Sequence, residues 1–226
     1  MSTDFVNNYF KASYKFPDAI VILFLASILA IDFMPYFKTA EIINVQFLYL
    51  SVINLLMGVY FYFNSNFSTI EAFQVLKRNY VPKIYLLFLF FCALSFLPAK
   101  NTALSITKFT ELVISFTLFI NLTILLKDKL DILYKIILVV CISAFFQAAQ
   151  QLFYFKEIAK GIDTMAALSN MKGNTGNINI LAASLTIKVP FLIIGIFNFT
   201  YFKRIFAVFT LIIVALVILL TGARTA

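Results

Sequence analysis

The sequence predicts an all-α fold, a polytopic transmembrane helical bundle of about seven spans, on three observations. First, 62% of the 226 residues are hydrophobic and 12% are charged, against about 45–50% and about 25% in an ordinary soluble domain. The excess includes 28 Phe, more apolar surface than one water-soluble core of this size encloses, whereas lipid solvates it directly. Second, the apolar residues gather into seven runs that reach or approach the ~20 residues a helix needs to cross a bilayer. Third, the basic residues stand singly or in pairs at the ends of those runs, where membrane proteins carry their topology signals.

The runs can be justified in order. The first, 19–37, follows Lys11 and Lys15 and carries Asp32 toward its end. No small-x-small cleavage site follows it, so it reads as a retained helix rather than a signal peptide. Asp32 itself reads as a residue at the membrane interface. The second run covers 42–63. The third, 84–97, is the shortest and is bracketed by Pro82 and Pro98 as helix punctuation. The fourth, 103–126, carries Lys108 and Glu111 three residues apart, hence on one helix face, where they are expected to form a buried pair. The fifth, 132–155, holds Gln147, Gln150 and Gln151, residues suited to hydrogen bonds between helices. The sixth and seventh cover 178–197, which contains Lys188 and Pro190, and 205–220. With no internal repeat and no Pro/Ser linker, residues 1–226 form a single transmembrane domain.

Charge orients the bundle. The formal charge of +8 comes from 18 Lys and Arg against 10 Asp and Glu. With the N-terminus inside, ten basic residues lie on the cytoplasmic side and seven on the other, which favours a cytoplasmic N-terminus. The segment 156–177 and residues 221–224 are then external. No basic stripe interleaved with aromatics appears, which excludes a nucleic-acid binder. Cys92 and Cys141 lie inside apolar runs and act as small core hydrophobes. With no His and no CxxC, the residues offer no zinc, haem or iron–sulfur site.

Two external features could carry chemistry. The segment Lys172-Gly173-Asn174-Thr175-Gly176-Asn177-Ile178-Asn179 leads into the sixth run, with Asn177 as its N-cap. A capped helix start presents free N–H groups and a positive dipole end, suited to phosphate oxygens. The seventh run ends in Thr221-Gly222-Ala223-Arg224, and arginine binds phosphate bidentately without ever losing its charge. A flexible loop with an ordinary cap, and an arginine snorkelling to the interface, would account for the same residues.

The order of these segments resembles the core of the O-antigen ligase and polymerase family. That pattern runs G-N-x-N, L-P, a basic turn, then T-x-S-R. Here it is Gly176-Asn177-Ile178-Asn179, Val189-Pro190, Lys203-Arg204 and Thr221-Gly222-Ala223-Arg224, with Val for Leu and Ala for Ser. The match covers roughly residues 172–226. The resemblance implies a glycosyltransferase at the periplasmic face of the bacterial inner membrane, taking a glycan from an undecaprenyl-diphosphate carrier. A ligase passes it to the lipid A–core saccharide, a polymerase to another carrier-linked unit. No cofactor, nucleotide sugar or metal is implied. Arg224 would help to hold the carrier diphosphate, and Gly176, Asn177 and Asn179 would line the same cavity, with Lys108 a further substrate-binding candidate. The family's catalytic His and Arg lie on a large external loop after this point, so the chain is expected to be the N-terminal part of a longer protein. Two readings of other classes stand beside this one. A transporter or flippase of lipid-linked solutes would use Lys108, Glu111 and the glutamines as a polar pathway. A structural subunit would use them only to pack helices.

Overall fold

The computed structural model describes residues 16–35, 42–64, 77, 79–127, 129–161, 167–168, 171 and 176–222. Among them stand seven α-helices and no strand: α1 (Asp18–Leu29), α2 (Ile42–Phe63), α3 (Tyr80–Leu94), α4 (Thr102–Leu125), α5 (Leu133–Ala159), α6 (Ile178–Asn198) and α7 (Tyr201–Thr221). Single 3-10 turns, Ala30–Phe33 and Leu130–Ile132, follow α1 and precede α5. Five helices, α2 and α4 to α7, are long and apolar enough to cross a membrane. The architecture is an all-α, multi-pass membrane bundle.

Local chemistry explains two of the helix ends that differ from the sequence expectation; α3 also ends at Leu94 rather than 97, α5 runs on to Ala159 rather than 155, and α7 starts at Tyr201 rather than 205. Asp18 sits in the first turn of α1, where its charge opposes the helix dipole favourably. The helix was expected to reach residue 37 but ends at Phe33. The residue before a proline is driven out of the α region, and Met34, ahead of Pro35, is extended at φ −61°, ψ 131°. In α3 the helix begins at Tyr80, not at 84, because Pro82 lies in the first turn, where its missing N–H would have had no partner anyway. At 15 residues, α3 is about 22 Å long, short of the roughly 30 Å hydrocarbon core. Asn101 caps α4 by accepting from the Leu104 N–H at 3.1 Å, and Gly222 ends α7 in the left-handed conformation at φ +58°.

The chain divides into two compact units, Met1–Val21 with Leu50–Lys129, and Ile22–Tyr49 with Leu130–Ala226. In the first, Phe16 packs its ring near those of Tyr60 and Phe61, and Asp18 pairs with Lys129 at 2.5 Å. Tyr85 of α3 stacks on Phe116 of α4 with ring centroids 5.0 Å apart. Asn121 of α4 donates to Asn54 of α2 at 3.1 Å, and Asn54 donates to the Ile114 carbonyl. Six hydroxyls of α4, those of Ser105, Thr107, Thr110, Ser115, Thr117 and Thr123, each bond the carbonyl four residues earlier. A hydroxyl satisfied within its own helix can face lipid without an unmet hydrogen bond.

In the second unit α5, α6 and α7 pack on one another around Ile137, Cys141, Ala144, Ala148, Leu181, Leu185, Leu192, Ala207, Val214 and Val217. Cys141 is fully buried there, as a small core hydrophobe. Cys141, Ala144 and Ala148 follow i, i+3, i+7 spacing, a strip of small side chains that lets helices approach closely without help from a hydrophobic effect. A two-residue link, Phe199-Thr200, joins α6 to α7. The helices are each 21 residues long and form an antiparallel hairpin. The start of α6 and the end of α7 therefore lie at the same end of this unit.

Candidate functional site

The interior of the second unit holds a buried polar cluster that the apolar core surrounds. Lys188 is the eleventh of the 21 residues of α6, so its Cα lies about 15 Å from either helix end. Its ammonium donates to Asp32 Oδ2 at 2.6 Å and to Gln147 Oε1 at 2.5 Å. The Gln147 amide donates to the Ser184 hydroxyl at 3.2 Å, and that hydroxyl donates to Asp32 Oδ1 at 3.1 Å. These four bonds close a ring across α6, α5 and the 3-10 turn that ends α1. The Lys188 side chain is 6% exposed and that of Asp32 11%. A charge at this depth is expensive unless paired and hydrogen-bonded, and both conditions are met.

Each member reaches the ring for a local reason. Ser184 and Lys188 are four residues apart and share a face of α6. Pro35 ends the first helix early, which places Asp32 in its last 3-10 turn. On α5, Ser143, Gln147 and Gln151 recur every four residues as a buried polar stripe within an apolar helix. Gln147 is the middle rung, while Ser143 Oγ and Gln151 Oε1 have no hydrogen-bond partner among the described residues.

This geometry corrects and completes the sequence reading. Asp32, expected at the interface, is a nearly buried member of an ion pair, because a lysine in mid-helix must have a carboxylate. The expected role of the glutamines holds for Gln147, which bridges α5 to α6. Gln151 is buried and Gln150 is exposed. Lys108 and Glu111 do pair, at 2.8 and 3.0 Å, but the pair is not buried, since Lys108 is 55% and Glu111 17% exposed. Lys108 lies two turns into α4, close enough to its end for the long side chain to face outward. It borders a groove of about 300 Å³ with Phe96, Leu104 and Phe109, in the first unit.

Of the other expected site residues, Gly176, Asn177 and Asn179 lie exposed at the start of α6. Gly176 has φ +68°, the left-handed conformation that favours glycine. Asn177 is the N-cap, its side chain accepting from the Asn179 N–H at 2.9 Å. Arg224 lies outside the described residues. The hairpin brings the start of α6 and Gly222 to one end, while Lys108 belongs to the other unit. Sequence reasoning missed Lys188 and Ser184 as members of a cluster. The signal was available: only two of the acidic residues, Asp32 and Glu111, fall inside the seven apolar runs, and Glu111 has Lys108 three residues away. Among the described residues, no three His, Cys, Asp or Glu side chains come together to hold a metal.

Fold and cluster together define a multi-pass membrane protein with a paired charge buried between its helices. No family model, curated protein or solved structure matches the chain.

Proposed function

We propose that this chain is part of a glycosyltransferase of the O-antigen ligase type, moving a glycan from undecaprenyl diphosphate to an acceptor at the periplasmic face of a bacterial inner membrane. The observation that supports this reading is the α6–α7 hairpin. It sets Gly176, Asn177 and Asn179 at the same end as Thr221 and Gly222, two residues before Arg224. Two of the four motif segments thus share one end of the hairpin, while Val189-Pro190 lies within α6 and Lys203-Arg204 at the other end. Arg224 would hold the carrier diphosphate and offset the charge left on it when an acceptor hydroxyl takes the anomeric carbon. The lipid A–core saccharide is the acceptor in the ligase form, and a second carrier-linked glycan in the polymerase form.

Deleting the gene tests the proposal. Surface glycan should be lost and carrier-linked glycan should accumulate. The gene should restore it, Arg224→Ala should not, and Arg224→Lys should restore it poorly, because lysine keeps the charge but loses the bidentate fork. Unchanged surface glycan in the deletion strain would sink the proposal. The orientation has its own test. A cysteine at position 174, with Cys92 and Cys141 replaced, should label from outside the intact membrane.

A second reading, a transporter of lipid-linked solutes, is favoured by one observation, the Asp32–Lys188 pair at mid-helix. Intramembrane charges commonly mark transport pathways. This reading predicts that the carrier-linked glycan in the deletion strain is confined to the cytoplasmic leaflet, whereas the transferase reading places it in the periplasmic leaflet.

A further inference from the structure

We propose that the start of α7 is a binding site for one anionic, two-chain phospholipid, independent of the glycan-transfer reading. Two grooves flank the ridge formed by Ile205 and Phe209, which border both. One is closed on its far side by Leu138 and Ile142 of α5, with Phe202 and Phe206. The other is lined by Tyr201, Val208 and Ile212. Each encloses about 520 Å³. Each has one cation among its lining residues, Lys203 in the first and Arg204 in the second. Adjacent in sequence, these cations lie in the first turn of α7, at one end of both grooves. The arrangement fits a lipid whose headgroup lies across two neighbouring cations while each chain runs down one groove.

Charge argues for the anion. Lys203 and Arg204 are both exposed, and neither takes part in an ion pair among the described residues. They also occupy the first turn of their helix, where the dipole favours negative charge and opposes positive. A phosphate there relieves an unfavourable arrangement and gains charge-assisted hydrogen bonds. The same charges argue against a second copy of this chain. Two copies in one membrane, related by a two-fold axis along its normal, present the same residues at the same depth. Lys203 and Arg204 would then face their own counterparts. The apolar linings argue against a soluble anion, which would leave Phe202, Phe206 and Ile212 unserved.

Native mass spectrometry of the purified, delipidated protein tests this, with phosphatidylglycerol and phosphatidylcholine of identical chains as probes. The wild-type chain should hold one phosphatidylglycerol in preference to phosphatidylcholine. Each basic residue near an anionic lipid contributes about fivefold, so K203Q/R204Q should lower phosphatidylglycerol affinity about 25-fold, to the phosphatidylcholine level. Both positions are exposed, so folding is not at stake. Filling the grooves with I142W and V208W should weaken binding with both charges intact. Removing two exposed charges elsewhere, K83Q/K156Q, should leave the preference unchanged. The proposal is overturned if K203Q/R204Q binds phosphatidylglycerol as the wild type does, or if K83Q/K156Q loses affinity equally. It is overturned as well by a wild type with no headgroup preference, or by a lipid-free dimer cross-linked through Phe202 and Phe209.

Discussion

Replacing Lys188 by methionine isolates the electrostatics of the buried ring. Methionine keeps an unbranched stem and the apolar contacts but removes the ammonium that bonds Asp32 at 2.6 Å and Gln147 at 2.5 Å. The Asp32 carboxylate, 11% exposed, then loses its cation while remaining within a low-dielectric interior. Removing one partner of a buried pair typically costs about 3–5 kcal/mol, and leaving the Gln147 oxygen without a donor adds to that. A loss of about 4 kcal/mol is expected, close to a thousandfold in the folded-to-unfolded ratio. Asp32→Asn should also be strongly destabilising, because it strands the ammonium instead. The double variant carries no buried charge and should lose only about 1–2 kcal/mol, less than either single change, since polar groups still need partners. The assay is reversible denaturant unfolding of the purified protein in mixed micelles, run as a double-mutant cycle. The predicted coupling is at least about 2 kcal/mol. If the double variant loses the sum of the singles to within about 0.5 kcal/mol, the two charges do not sense each other and the reasoning fails.

Three further outcomes follow from the packing. Lys108→Met should cost no more than about 1 kcal/mol in the same unfolding assay, because an exposed pair contributes little, and a loss above about 3 kcal/mol would restore the buried pair that the sequence suggested. Asn121→Leu removes the bond to Asn54 and should cost about 1–2 kcal/mol, with Asn54→Leu nearly silent once Asn121 is gone, as a double-mutant cycle would measure. Gly195→Val should be worse than Gly195→Ala in a thermal melt. A Cβ there would come within 2.9 Å of the Phe199 ring and 3.4 Å of Ile137. For alanine the helix-propensity gain of about 1 kcal/mol offsets part of the crowding, and for valine it does not.

The sequence by itself determined the class and most of the helices. Membrane helices are specified by run length and apolarity, both local properties, because lipid rather than a distant part of the chain solvates them. The second, fourth and sixth runs accordingly coincide with α2, α4 and α6 to within a residue or so. At two of the ends that differed from expectation the reason was still local: Pro35 cut the first helix short, and Pro82 was tolerated inside the first turn of the third. The cap at Asn177 was likewise legible, since a helix end is satisfied by its own neighbours. What only the tertiary structure decided was which polar side chains meet. Asp32 and Lys188 lie 156 residues apart, and no periodicity within one helix can signal a partner on another. Hydropathy saw Lys188 as an interruption in an apolar run and Asp32 as an edge. Their meaning comes from the packing of α5, α6 and the end of α1, which brings carboxylate, ammonium, amide and hydroxyl into one ring. A charge with no water to solvate it must find its counter-charge within the protein, and the fold decides where that counter-charge is.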